Sequence, residues 1–151
     1  MDLIESLTAD FDQLRDLTID LTIMPKLQRE WIFRALVRLQ DVSWKAQTAA
    51  LTTMGDRVSP IEFAKRKILE RSDVMEDIAI SIQQTHRIES RESKMDLYSD
   101  LVLQTITDCE REILPYLYES VSEADRRRMG VTYRKYKDIA LDHGFYQPQA
   151  V

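Results

Sequence analysis

Cys109 is the chain's one cysteine, and His86 and His143 are its two histidines. A single cysteine excludes an internal disulfide framework and any Cys-rich zinc site. A reactive thiolate needs a cation beside it. The neighbours of Cys109 are Asp108 and Glu110, which oppose ionisation, so Cys109 reads as a buried structural thiol. His86 stands beside Arg87, and His143 precedes Gly144, where a cation is favoured by the helix dipole. Neither has a catalytic partner at a meaningful spacing. Carboxylates cluster at Asp73, Glu76 and Asp77 and again at Asp108, Glu110 and Glu112. No Glu-x-x-His pair of the ferritin type accompanies them, and no Ser-His-Asp order, phosphate loop or dinucleotide fingerprint occurs. These acids read as solvated helix faces; the alternative is a nonstandard metal site drawn from Asp73, Asp108 or Cys109. Arg126, Arg127 and Arg128, with Arg134, Lys135 and Lys137, set a basic C-terminal segment against an acidic body. They read as a face salt-bridged to its neighbours, with docking of an acidic partner as the other reading.

The elements that position these groups are helices. The 151 residues make one domain, 1–151, long enough for a hydrophobic core. Only 3 Gly and 4 Pro argue against an all-β chain with frequent turns. A net charge of −5 argues against nucleic-acid binding. The N-terminus has neither the basic nor the apolar region of a signal peptide. No run of 18 apolar residues is present to span a membrane. A cytoplasmic protein is expected.

Apolar spacing predicts helices over about residues 2–23, 26–54, 60–86, 95–118 and 122–143. Asp10 falls off the apolar stripe of the first. Pro25 breaks the first helix and Gly55 stops the second. The second helix has a stripe of Ile32, Leu36, Leu39, Ser43, Ala46 and Ala50, poor in large side chains after Ser43. This suits close helix–helix approach or an altered interior site. Ser59, Pro60 and Glu62 suggest a capping box opening the third helix. Its stripe is Ile61, Ala64, Ile68, Ser72, Met75, Ala79 and Ile82. The charged residues 89–94 are the best loop candidate between the third and fourth helices, though a helix could run through them. The fourth stripe is Tyr98, Val102, Thr105, Cys109, Ile113 and Tyr116, with Pro115 kinking or ending that helix. Ser122 is a candidate N-cap for the last helix, Gly144 its stop, and residues 145–151 read as an extended tail. The expected architecture is an all-α, up-down-up-down four-helix bundle with a short fifth C-terminal helix.

Several of these stretches together resemble the hemerythrin-like (His-His-Glu cation-binding) bundle family. ADFDQLRDL is similar to that family's opening helix, with Phe11 where the family usually has His. Ser43 and Gln47, in VSWKAQTAAL, stand at the family's His-x-x-x-Glu positions. Ser72, in ERSDVMEDI, stands at its third-helix His. Thr105 and Cys109 stand at the second His-x-x-x-Glu pair, ahead of EREILPYL, which keeps the family's acidic, apolar and Pro ending. SEADRRRMGVTYRKYKDIA resembles its C-terminal helix. The resemblance implies the family's bundle without its di-iron site, because the imidazoles that such a site needs are replaced. It implies no cofactor and no catalysis. The expected role is a non-catalytic protein-interaction or regulatory module, with a protein partner or a second copy. Trp31, Phe33 and Trp44, off the strict stripe, are the candidate interface. The alternative is a metal or small-molecule sensor with a polar cavity at the former iron site, lined by Ser43, Gln47, Ser72, Thr105 and Cys109.

Overall fold

The computed structural model describes residues 1–143, apart from the side chains at 56, 57 and 143. The expected tail at 145–151, the Gly144 stop and the setting of the His143 side chain lie outside the described residues. Every regular element in the described part is helical.

Helix α1, Leu3–Ile23, opens with a complete capping box. The Asp2 carboxylate accepts from the Glu5 N–H at 2.9 Å, and the Glu5 carboxylate accepts from the Asp2 N–H at 3.0 Å. Pro25 separates it from α2, Lys26–Thr52. Gly55 then adopts a φ of 59°, which costs glycine little. The chain does not enter the third helix through the capping box expected at Ser59. A 3₁₀ segment, Gly55–Ile61, contains both Ser59 and Pro60, and α3, Glu62–Gln84, starts without a side-chain cap.

The loop expected at residues 89–94 is helix. The break falls earlier, at 85–87, and α4 spans Ile88–Asp108. The polar side chains of that segment are used for capping and pairing. The Arg91 guanidinium donates to the Thr85 carbonyl at 2.9 Å and pairs with Glu30 at 2.7 Å. Lys94 donates to Ser81 Oγ at 2.6 Å and Thr85 Oγ1 at 2.8 Å.

Pro115 does not end the fourth helix. It lacks an N–H, and its ring would crowd the Arg111 carbonyl in a regular α-helix. A π turn, Cys109–Ile113, absorbs the conflict, with the Leu114 N–H reaching the Cys109 carbonyl. Helix α5, Leu114–Ser120, continues directly. The wider turn gives the next core position to Leu117, which is fully buried, while Tyr116 is half-buried. Ser122 Oγ accepts from the Asp125 N–H at 3.2 Å and opens α6, Glu123–His143.

The helices form an all-α bundle. Helix α1 packs on α2, α4 and α6; α2 packs on α6; and α3 packs on α4. The core is built of Leu3, Leu7, Leu14, Leu21, Leu36, Ile68, Ile106 and their neighbours, each 0–1 % exposed. Burying each such side chain is worth about 1.5–3 kcal/mol. Phe11 belongs to this core at 4 %. Gly130 permits the close crossing of α6 over the start of α1: a Cβ there would lie 2.7 Å from the Met1 carbonyl oxygen and 2.8 Å from Asp2 C.

Helices α1, α3 and α5 carry no basic residue in their last turns. Their terminal carbonyls are met by arginines from the following helix: Arg29 to Leu21 at 2.9 Å, Arg91 to Thr85, and Arg126 to Val121 at 2.7 Å. Arg38 of α2 does the same for Leu141 of α6 at 2.8 Å. Each bond satisfies an acceptor left over at a helix end. No described helix is long and apolar enough to cross a membrane.

Candidate functional site

Four of the candidate cavity positions meet inside the bundle. Gln47 and Cys109 face each other, with Gln47 Nε2 3.6 Å from the Cys109 sulfur. Ser43, one turn before Gln47 on α2, donates to Asp10 Oδ2 at 3.2 Å. Thr105, one turn before Cys109 on α4, donates to the Leu101 carbonyl at 2.8 Å. All four are at most 5 % exposed. Ser72 does not join them. It sits at the α2–α3 seam, where its buried Oγ has no hydrogen-bond partner, beside a space of about 30 Å³. Such a volume holds about one water molecule. Arg71 is the α3 residue that turns inward instead.

Charged groups complete this interior, and the periodicity did not announce them. Asp10 is 5 % exposed, not on a solvated face. Its carboxylate accepts from Lys137 Nζ at 2.7 and 2.9 Å, from Ser43, and from the Tyr133 hydroxyl. Lys137 also lies 5.8 Å from the centre of the Tyr133 ring. Asp108 is likewise buried, at 6 %, which corrects its reading as solvated. Arg71 Nη2 is 2.6 Å from it, Arg111 3.1 Å and Lys67 3.8 Å. Arg71 Nη1 also donates to Thr105 Oγ1 at 3.3 Å.

The electrostatics follow from this packing. Burial alone would raise the Asp108 pKa, but the Arg71 hydrogen bond and the charges of Arg71, Lys67 and Arg111 hold it below the usual value. Burial pushes the Cys109 thiol up to about 12, a shift that Gln47 opposes and the Asp108 charge reinforces. Burial, then the charge of Asp10, raises the Tyr133 phenol above its ordinary value. Cys109 is thus a protonated thiol at neutral pH, a poor nucleophile. Asp108 is engaged by cations and Asp73 is exposed, so the nonstandard metal set considered for these residues is not assembled. Among the described residues no three His, Cys, Asp or Glu side chains converge.

The aromatic candidates separate. Phe33 is in the core, 5 % exposed and edge-on to Tyr98 at 5.2 Å between ring centres, so it is not a surface contact. The α2 face is rotated by about one residue there, leaving Ile32 half-buried. Trp44 is half-buried against the core. Trp31 is 73 % exposed. One turn before it Leu27 is 89 % exposed, Ile23 is 68 %, and Ile88 lies across a groove from Leu27 at 61 %. Chain spacing could not separate Trp31 from Phe33, which differ by two positions on one helix. Only the orientation of α2 against α4 decides which is covered.

Fold and interior define a helical bundle whose core carries hydrogen-bonded polar groups. No family model matches this chain, and neither a curated protein nor a solved structure does.

Proposed function

We propose that the chain is a non-catalytic protein-interaction or regulatory module, a bundle of hemerythrin-like type without di-iron. The observation that carries this reading is the pairing of Leu27 and Trp31 on one face of α2, at 89 % and 73 % exposure, with Ile88 across a groove from Leu27. Water-facing apolar side chains gathered at one corner mark a surface that another polypeptide covers. A central tryptophan is a frequent anchor of such contacts. The interior supports the di-iron-free part: Ser43, Gln47, Thr105 and Cys109 are bonded to protein partners, and Asp10 and Asp108 are neutralised by Lys137 and Arg71.

A photo-crosslinking side chain at Leu27, compared with one at the exposed Arg127 of α6, tests the reading. Adducts to a second polypeptide or a second copy are expected from position 27 and not from 127. Equal yields from both positions would remove the interaction surface. Elemental analysis tests the second part, and about two irons per chain would overturn it.

A further inference from the structure

We propose that the groove beside Trp31 is occupied by a second copy of this chain, which presents the exposed flank of its α3 from Leu69 to Ile80. The proposal deepens the interaction reading and rests on it.

The groove lies between α1, α2 and α6 and measures about 560 Å³. Leu17, Trp31, Arg34, Arg38 and Leu141 are on its walls. Arg34 sits 6.0 Å from the Trp31 ring centre and pairs with no carboxylate among the described residues. Arg38 donates Nη2 to the Leu141 carbonyl but has no acceptor for its buried Nε. Two guanidiniums are therefore left without an acid in a chain whose net charge is −5. Along α2 the residues Leu27, Trp31, Arg34 and Arg38 follow a four-three-four spacing and form one stripe, apolar at one end and basic at the other.

Helix α3 carries the complement. Leu69, Asp73, Glu76 and Ile80 repeat the same four-three-four spacing on its exposed face. Leu69 is 51 % and Ile80 47 % exposed. Asp73 and Glu76 are exposed and have no cation partner among the described residues. One chain thus holds a partly covered apolar–basic stripe on α2 and an exposed apolar–acidic stripe on α3. Laid antiparallel, stripes of this spacing pack ridge into groove, with Leu27 against Ile80 and Asp73 opposite Arg34, whose charge it meets. The stripes lie on different helices, so the contact propagates from copy to copy, closes as a ring, or is made twice across a two-fold axis.

Sedimentation of the full chain tests this. The wild-type protein should gain average mass with concentration in about 50 mM salt and lose that gain in about 500 mM, where screening is strong. A groove variant, R34E with R38E, and a ridge variant, D73K with E76K, should each self-associate roughly tenfold or more weakly. R34E alone, which leaves the Arg38–Leu141 bond in place, should show the same loss if the double variant does not fold. An equimolar mixture of groove and ridge variants should regain concentration-dependent association, because each reversed stripe meets its opposite charge on the other variant; a mixture that associates no better than either variant alone overturns the proposal. A wild-type chain that stays monomeric overturns the proposal; if position 27 still crosslinks to another polypeptide, the interaction reading stands without it. A ridge variant that self-associates like wild type also overturns it, in favour of groove-to-groove contact. So does association that appears only after deletion of residues 144–151, which would make that segment the occupant.

Discussion

Lys137 of α6 holds both carboxylate oxygens of Asp10 of α1, at 2.7 and 2.9 Å, with the two side chains only 18 % and 7 % exposed. The pair clamps the C-terminal helix to the first helix and also orients the Tyr133 hydroxyl. Lys137→Met should cost roughly 3 kcal/mol, because it leaves a buried carboxylate without its cation. Asp10→Leu combined with Lys137→Met should cost clearly less than the sum of the single changes. Urea denaturation of the four proteins measures the coupling, and simple additivity would show that the pair does not act as a unit.

Gly130 makes a second clamp between the same two helices. Replacing a mid-helix glycine by alanine ordinarily gains up to about 1 kcal/mol. Here the new methyl meets the Met1 carbonyl at 2.7 Å and Asp2 C at 2.8 Å, both backbone atoms. Gly130→Ala should therefore destabilise, by roughly 1–3 kcal/mol as overpacking does. It should also speed amide exchange at the start of α1, around Leu3 to Leu7. An increased Tm would mean that the crossing is looser than this contact requires.

The pH dependence follows from three buried acids, two with raised pKa and one with a lowered pKa. The native Cys109 thiol titrates near 12 against an ordinary 9.0. Its contribution is fully present below pH 9 and is lost between pH 9 and 12, by up to about 1.4 kcal/mol per pH unit. The raised Tyr133 adds to the loss above its ordinary value of 10.0. Asp108 is lowered, so its contribution is present above the normal carboxylate range and is lost as acid carries the pH down through the depressed native value. Stability measured from pH 7 to 10.5 should fall from about pH 9, and Cys109→Ala should flatten the first part of that fall. A wild-type profile that is level to pH 10.5 would show Cys109 in contact with water.

Helix order, the α2–α3 break near Gly55 and most core residues were legible because Leu3, Leu7, Phe11 and Leu14, or Ile61, Ala64 and Ile68, repeat with helical period. The misread features were those in which polar chemistry overrides that period. Asp10 was placed outside because it falls off the apolar stripe of the first helix; it is inside because Lys137, 127 residues away, neutralises it. The segment at 89–94 looked like a loop because it is highly charged, yet Arg91 and Lys94 use those charges to close the end of α3. Pro115 suggested a kink or a stop, and the helix runs on through a π turn. At the candidate site, the helical stripes turned Ser43, Thr105 and Cys109 inward, and Gln47 was indicated only by the resemblance. Spacing failed at Ser72, because a seam residue and an inward one differ by a single position, and Arg71 took the inward place.

Trp31 and Phe33 offer the sharpest separation of interface from core, since they lie two residues apart on one helix. Phe33 is 5 % exposed and stacks edge-on against Tyr98. Phe33→Ala should cost roughly 3–5 kcal/mol in unfolding free energy, the usual loss for an aromatic removed from a core. Trp31 is 73 % exposed, with the Arg34 guanidinium 6.0 Å from its ring centre. Trp31→Ala should change stability by no more than about 0.5 kcal/mol, as exposed substitutions do, while reducing crosslinking from position 27 and the concentration-dependent gain in mass. Chemical denaturation and sedimentation of the same two variants resolve the roles. If Trp31→Ala destabilises the monomer as much as Phe33→Ala does, the indole serves the fold rather than a partner, and the surface proposed for α2 is lost with it.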